Sequence, residues 1–562
     1  AGPARAVPAV DDATAIAAAV DVLRRGEVLA VKGVGGYHLL CDARSEAAVA
    51  RLRERKRRPD KPLAVMFPWR GDDGLAAVND EFDLEPAARA ALLDASRPIV
   101  LLSRTGRATA LATGVAPGLH EVGVFLPYSP LHQLLLEAYG SPVVATSGNV
   151  SGEPVLTEPA EAATRLATVA DAFLHHDRPI VRPADDSVVR VIAGRARPLR
   201  LGRGVAPLEL ELPVAVPHPV LAAGAHLKNT VALAWDRRVV VSPHIGDMGT
   251  LRSEIVFAQV AADLQRLYDV RAAAVLCDAH PDYATSRWAR ASGLPVHPVL
   301  HHHAHASAVV QEHGAQAEDT IVFAWDGVGL GGDGTLWGGE TFVGRPGQWH
   351  RRASLRPFHL PGGDRAGRAP WRSAAALCWE LGIECPVPVP DPIVRSAWQR
   401  RLNAPRSSAA GRVFDAAASL ILGVGETSFE GQGPMWLEAI ARPAADGPVL
   451  PLVPDGDLVI ADWGPLVSWL VAHPDVEPGA RAGAVHASLA QAIVAIAERL
   501  RREHGCATVG LTGGVFQNRL LSEQASRALD SCGFRVLLAV QLPCNDGGLS
   551  FGQVADFAGR KS

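Results

Sequence analysis

The chain has 562 residues, 48% of them hydrophobic and 20% charged, with a net charge of −4. That length exceeds what one core serves and implies two to four domains. The composition is that of ordinary globular protein, without the global positive field that drives nucleic-acid binding. No apolar run approaches 18 residues, so no transmembrane helix is expected. Seven scattered cysteines (Cys41, Cys277, Cys378, Cys385, Cys506, Cys532, Cys544) include no Cys-x-x-Cys. This argues against a disulfide framework or a Cys-rich zinc module, and for a reducing cytoplasm. The chain opens Ala1-Gly2-Pro3 with no initiator Met and no signal-peptide pattern, as a fragment of a longer protein would.

Asp12 to Arg24 has helical periodicity and ends at Gly26. Val28 to Lys32 is a short strand entering Gly33-Val-Gly35-Gly36, where glycines let backbone N–H groups approach an anion, or simply make a tight turn. The helix through Arg51-Leu-Arg53-Glu54-Arg55-Lys56-Arg57-Arg58 breaks at Pro59. A charge run is usually a solvated face. This one leads straight into the apolar strand Leu63 to Phe67, which turns its cations toward a sheet cleft and favours anion binding. Val143 to Thr146 is a strand ending in Ser147, Gly148, Asn149 and Ser151, side chains that suit a phosphate or ribose, or equally a turn or helix cap. Arg182 to Arg190, with Asp185 and Asp186, reads as a further strand, and Arg197, Arg200, Arg203 and Gly204 close the unit.

Lys32-Gly33-x-Gly35-Gly36, Lys56-Arg57-Arg58-Pro59-x-Lys61-Pro62, Thr146-Ser147-Gly148-Asn149-x-Ser151-Gly152 and the closing Arg203-Gly204 together resemble a YrdC-type domain over residues 1–207. The resemblance implies a twisted α/β sheet with a basic concave face that activates carbamate-like acids as acyl-adenylates from ATP and its Mg2+. By position, Lys56, Arg58 and Lys61 would hold phosphates or the carbamate. Ser147, Asn149, Ser151 and Arg203 would contact the adenylate, and Lys32 joins this cofactor-binding set. Activating an acid at phosphorus does require several fixed cations.

Pro207, Pro213, Pro217 and Pro219 mark 208–219 as a stiff linker. Beyond it, strands flank a glycine-containing bend at 224–230, a candidate phosphate loop. A second strand–Gly loop–strand unit covers Ile321 to Asp326, 327–334 and Thr335 to Phe342. Two such units are the pattern of the duplicated nucleotide-binding α/β fold of actin, hexokinase and Hsp70, an analogy of fold alone. A third loop, Gly513-Gly514 to Asn518, follows a strand and opens a helix whose N–H groups favour an anion or nucleotide. Asp415 reads as a ribose ligand or as a helix cap.

The stretch His301-His302-His303-Ala304-His305 is the densest chemical signal. If it is helical, His301 and His305 share one face and can share one metal ion. Asp326 ends an apolar strand and would complete a three-ligand site with open positions; Asp546, in Pro543-Cys544-Asn545-Asp546-Gly547-Gly548, can supply a fourth ligand. A solvated His tract is the competing reading. His302 and His303 read as supporting or packing residues.

Those motifs, with Leu360-Pro361-Gly362-Gly363-Asp364 and Phe429-Glu430-Gly431-Gln432, resemble the HypF family of hydrogenase-maturation carbamoyltransferases over essentially the whole chain, activating domain first and transfer domain second. The resemblance makes 220–562 a threonylcarbamoyl-transferase-like (ASKHA) domain of two lobes. It implies that carbamate, derived from carbamoyl phosphate, reacts with ATP to give carbamoyl-adenylate. The labile intermediate would pass through an internal cavity. The carbamoyl group would then go to the C-terminal Cys of a partner, HypE, for cyanide-ligand synthesis. None of the seven cysteines is an obvious nucleophile, which suits an acceptor supplied in trans. His301, His305, Asp326 and Asp546 would hold a divalent ion, Fe2+ or Zn2+, as Lewis acid. Asp415, Gly431, Gly513, Gly514 and Asn518 would contact nucleotide. No nucleic-acid or membrane partner is implied.

Family members begin with an acylphosphatase-like domain and Cys-rich zinc fingers. This sequence has neither, so the step making carbamate has no home in it. Phe429 stands where Tyr is expected, Gly433-Pro434 replaces small helix formers, and Arg365 to Pro370 is unusual. Three rivals remain. An O-carbamoyltransferase of small hydroxylated metabolites carries such domains in the opposite order. A tRNA-modifying threonylcarbamoyl enzyme sits poorly with the acidic charge. A nucleotide-binding scaffold docking HypE sits poorly with the intact ligand set.

Overall fold

A computed structural model describes residues 11–105, 109–149, 152–442, 444 and 446–560. Ser151 lies outside them. The chain forms two compact units. One runs to Leu208 and takes in Ser242–Asp263; the other comprises Glu209–Val241 and the chain from Leu264 onward.

The first unit holds a nine-stranded mixed sheet. In spatial order its strands are Ala172–Leu174, Leu29–Lys32, Tyr37–Asp42, Val143–Ser147, Ala64–Met66, Glu121–Phe125, Ile99–Ser103, Val188–Ile192 and Arg195–Arg200. Both faces of its inner strands are covered, and Leu29–Lys32 and Val143–Ser147 are apolar at most positions, while the edge strand Arg195–Arg200 is not. Val28 and Ala30 pack on one face with Leu52 of the helix Glu46–Lys56. Leu29 and Val31 pack on the other with Leu23 of the helix Asp12–Arg24 and Leu135 of Pro130–Tyr139. Alternation of side chains across a pleat produces this two-faced core. Truncating a fully buried member such as Leu23 to Ala costs about 2–5 kcal/mol.

The last strand before the closing hairpin begins at Val188, so Arg182 to Ser187 is not strand as the sequence suggested. Asp186 instead forms an isolated bridge with Arg203, and its carboxylate is drawn into side-chain bonds.

The second unit contains two sheets built to one plan. In the first lobe the order is Arg238–Val241, Ala232–Trp235, Val220–Ala222, Ala274–Asp278, Val296–Val299. In the second it is His350–Leu355, Leu336–Gly344, Thr320–Leu330, Thr508–Thr512, Arg535–Leu538. In each, three consecutive antiparallel strands are extended by two parallel ones. This repetition is the duplicated actin-like architecture the sequence pattern implied. The stretch read as a linker is not featureless: Leu208–Glu211 is the edge strand beside Arg238–Val241.

Two helices connect the lobes' chemistry. His301–Glu312 follows the last strand of the first lobe. Leu549–Gly559 packs on that helix and on the first lobe's strands. The approach is close: a Cβ on Gly552 would lie 2.0 Å from the Ala304 carbonyl oxygen. Pro478–His504, 27 residues, meets the length and hydropathy criteria for a membrane-crossing helix, which the run-length reading did not foresee because its apolar character comes from interspersed Ala and Gly. Of its most apolar window, 78% is buried in the protein core.

Candidate metal centre and anion cluster

In the first unit, Arg53 organises the turn after the cationic helix. Its guanidinium donates to the carbonyls of Arg58 (2.8 Å), Pro59 (2.9 Å), Lys61 (3.1 Å), Gly114 (2.6 Å) and Val115 (3.2 Å). It is therefore structural, and it frees its neighbours for other work. Lys56, the last helical residue, is buried and donates to Thr146 Oγ1 (3.1 Å) and to the Ser147 carbonyl. Burial, and then the charge of Arg58, hold its ammonium well below the usual lysine range. Burial and the charge of Arg200 likewise bring Arg58 down to about 10. Both are thus lowered by burial and by neighbouring like charge, a setting that favours an anion, and Asp185 is the acid that acts on both.

Ser147 Oγ donates to Asn149 Oδ1 (2.8 Å), and Lys32 Nζ to the His176 carbonyl (3.0 Å). Lys61 is exposed at the turn. Arg203 is placed differently from the expectation. Its guanidinium lies 3.4 Å over the Tyr128 ring and donates to Asp186 Oδ1 (2.9 Å) and to the carbonyls of Ser96 (2.8 Å) and Arg97 (2.9 Å). All three guanidinium nitrogens are thereby engaged within the protein.

In the second unit the predicted helix begins at His301, and both His301 and His305 are buried. Asp326 lies on Thr320–Leu330, at the bulge between Trp325 and Gly329 where pairing to Leu336–Gly344 slips. Asp546 opens a short 3-10 turn ahead of Leu549–Gly559, with Asn545 Oδ1 accepting from Gly547 N (2.9 Å). One ligand atom from each of the four residues falls within 4.8 Å of the others. His305 Nε2 is 3.0 Å from Asp326 Oδ2 and 3.8 Å from Asp546 Oδ1. His301 Nε2 is 3.6 Å and 3.8 Å from the same two oxygens.

His301 Nε2 is buried with no hydrogen-bond partner, a state costing about 1–3 kcal/mol unless something accepts its lone pair. Burial works against charge on His301, but Asp278, Asp326 and Asp546 outweigh it and raise its basicity. Burial likewise opposes ionisation of Asp326, and the two imidazoles overcome it. A buried set of two carboxylates and two imidazoles with convergent lone pairs thus calls for a cation. The residues fit a divalent ion of mixed N/O preference.

Sequence reasoning missed Asp278. Its Oδ2 accepts from His301 Nδ1 at 2.7 Å. The signal is topological: Asp278 pairs with Val299 in parallel register, which sets it beside the helix starting two residues later. His302 is fully buried and His303 stands edge-on to Phe342 at 5.1 Å, in the supporting roles expected.

The nucleotide candidates divide. Gly513, at φ +97°, lies where a Cβ would come within 2.1 Å of the Trp325 carbonyl. A Cβ on Gly514 would be 2.8 Å from Asp326 Oδ1. The double glycine therefore rests directly on the ligand-bearing strand. Gly431 takes φ +77° at the head of Gln432–Ile440. Asn518 caps the helix Arg519–Ser531 through Leu521 N (2.9 Å) and meets His486 Nε2 (2.9 Å), so its side chain is engaged locally. Asp415 is buried against Arg412. Burial and the negative Glu430 raise it to about 6. The bend at 224–230 is held by Thr230 on the Gly547 carbonyl (2.9 Å) and by Gln553 on Gly224 (3.0 Å).

Comparison with known proteins follows the same division. The Sua5/YciO/YrdC family model, described as telomere recombination, matches residues 21–202. The HypF Kae1-like domain matches 215–312, and the second subdomain of the Kae1-like carbamoyltransferase domain matches 322–553. Carbamoyltransferase HypF of Synechocystis is 39% identical over 95% of this chain and 72% of its own length. That of Rhodobacter capsulatus is 42% identical over 96% and 72%. A crystal structure of full-length HypF in a phosphate- and nucleotide-bound form superposes with a TM-score of 0.92 at 33% identity, covering 99% of this chain and 73% of that one. The chain spans about 72% of such relatives. A threonylcarbamoyl-AMP synthase of Xanthomonas oryzae is 37% identical over 141 residues, 24% of this chain and 72% of that protein. With its duplicated lobes and this identity along nearly all its length, the chain belongs to the HypF carbamoyltransferase family.

Proposed function

We propose that this carbamoyltransferase works in two steps. In the first, residues 1–207 act as the activating domain: a carbamate oxygen attacks the α-phosphorus of ATP, carried with Mg2+, giving carbamoyl-adenylate and pyrophosphate. In the second, residues 220–562 act as the transfer domain: a thiolate attacks the carbamoyl carbon, AMP leaves, and the thiol proton passes to solvent. The acceptor is the C-terminal Cys of HypE and the carbamate derives from carbamoyl phosphate, in a reducing cytoplasm. Free cysteines at all seven positions accord with that compartment.

The observation that carries the reading is the convergence of His301, His305, Asp326 and Asp546, in one chain with a cluster of cations that includes the depressed Lys56 and Arg58. Lys56 and Arg58 supply charge for the phosphates, with Lys61 at the rim of the same turn. The likeness to a threonylcarbamoyl-AMP synthase supports adenylate formation in this unit. His301, His305, Asp326 and Asp546 would hold Fe2+ or Zn2+. When bound, the ion supplies Lewis-acid polarisation of a carbonyl or phosphate oxygen. The double glycine lets its loop lie directly against Trp325 and Asp326, where its backbone N–H groups would meet a nucleotide phosphate, and the raised Asp415 would serve as a ribose or acceptor contact.

ATP–pyrophosphate exchange tests the first step, with carbamate and carbamoyl phosphate supplied separately. Exchange with carbamate supports adenylation. Exchange with neither, in folded protein, overturns it. A mass increase of one carbamoyl group on the terminal thiol of HypE, absent from a Cys-to-Ser acceptor, tests the second step.

A further inference from the structure

We propose that Asp278 is a positioning residue for the candidate metal centre. Clamped at both carboxylate oxygens, it fixes His301 as the Nδ1–H tautomer and aims the Nε2 lone pair at the ion. The proposal rests on the reading of His301, His305, Asp326 and Asp546 as one metal site.

Asp278 is 2% exposed at the end of the parallel strand Ala274–Asp278. Its Oδ2 accepts from His301 Nδ1 at 2.7 Å, and its Oδ1 accepts from His280 N at 2.8 Å. Its own carbonyl accepts from Ser286 Oγ at 2.9 Å, so neither carboxylate nor backbone is free to swing. The turn beyond is braced by stacking. His280 lies on Tyr283 with ring centroids 4.1 Å apart and planes 7° apart, and Tyr283 in turn stacks on His226 at 5.2 Å. The opposite side of the imidazole is closed by backbone: a Cβ on Gly329 would lie 2.8 Å from His301 Cδ2. The ring is thus held between a carboxylate and a glycine, and its remaining nitrogen is the buried, unpartnered Nε2. An ionised carboxylate can only accept, so Nδ1 must carry the proton. A carboxylate behind a ligand imidazole fixes its tautomer and raises its strength as a ligand.

The test measures Zn2+ and Co2+ affinity of the full chain by chelator competition. Asp278→Ala should weaken binding about 10- to 100-fold. Asp278→Asn should weaken it less, because an amide oxygen still accepts from Nδ1 but brings no charge. Unchanged affinity, within twofold, in Asp278→Ala that matches the parent's circular dichroism overturns the proposal. A second readout needs no variant of Asp278: the 15N-histidine spectrum of the parent protein, with His301 assigned by its loss in His301→Gln. A protonated Nδ1 is expected, with Nε2 metal-bound in the loaded protein; a ring protonated at Nε2 alone overturns the proposal. If the parent binds neither metal, the metal-centre reading fails, and the tautomer measurement still decides Asp278's role.

Discussion

The two candidate sites are chemical opposites. Around Lys56 and Arg58 the protein gathers donors and positive charge, Lys56 partly satisfied by Thr146 and Ser147 and Arg58 by the Pro62 carbonyl of its own turn. Around Asp326 it gathers acceptors, with one imidazole nitrogen left unsatisfied. The first is complete once an anion arrives and tolerates waiting, since Thr146, Ser147 and Pro62 occupy its cations meanwhile. The second is frustrated until a cation joins it. One chain thus keeps two kinds of unpaid electrostatics, and substitutions should separate them.

The largest effect is expected from Asp326→Ala. Metal affinity should fall at least about 100-fold and carbamoyl transfer with it, while ATP–pyrophosphate exchange stays within twofold. Loss of both activities together would erase the distinction between the sites. Lys56→Met should do the converse, lowering exchange about 100-fold with metal affinity intact. The parent should also have a characteristic pH profile. Because the Lys56 pKa is depressed, its ammonium loses a proton at lower pH than an ordinary lysine. The kcat/KM for exchange should therefore decline as pH rises through a point below the usual lysine range, and Lys56→Arg should move that limb upward. A profile flat to pH 10 contradicts this.

Gly329→Ala sharpens the second site alone. The new Cβ would lie 2.6 Å from His302 Cε1 and 2.8 Å from His301 Cδ2, so the rings must shift. Metal affinity should drop about tenfold, with a stability cost of about 1–3 kcal/mol. Arg203→Leu should have the smallest catalytic effect. It breaks a buried clamp and lowers stability by about 3 kcal/mol, yet KM for ATP in the remaining folded protein should change less than threefold. A tenfold rise in KM with unaltered melting would return Arg203 to the adenylate.

Where a candidate cluster follows from the spacing along one element, the sequence is enough to suggest it. The four-residue step between His301 and His305 becomes a shared face as soon as the segment is helical, whereas Asp326 does not end its strand as expected but sits at a bulge within Thr320–Leu330. The Asp278 contact has no such local rule. Twenty-three residues separate it from His301, and only the parallel pairing of Asp278 with Val299 brings the two together. Arg203 illustrates a different limit. A motif position marks a residue as needed, but whether its guanidinium faces ligand or carbonyls depends on Ser96, Arg97 and Asp186, which come from distant strands and loops. The run 182–187 misled for a similar reason. It runs directly into the apolar Val188-Val189, but Asp186 is committed through its side chain to His38 and Arg203.

The buried helix Pro478–His504 has a consequence for how the chain reaches this state. It packs beneath a sheet whose central parallel strand, Thr508–Thr512, and edge, Arg535–Leu538, are made after it. As the polypeptide leaves the ribosome, a long apolar segment is finished before the strands that cover it exist. A product truncated before Leu538 exposes that surface permanently, and such fragments should be held by chaperones or aggregate, whatever the state of either site.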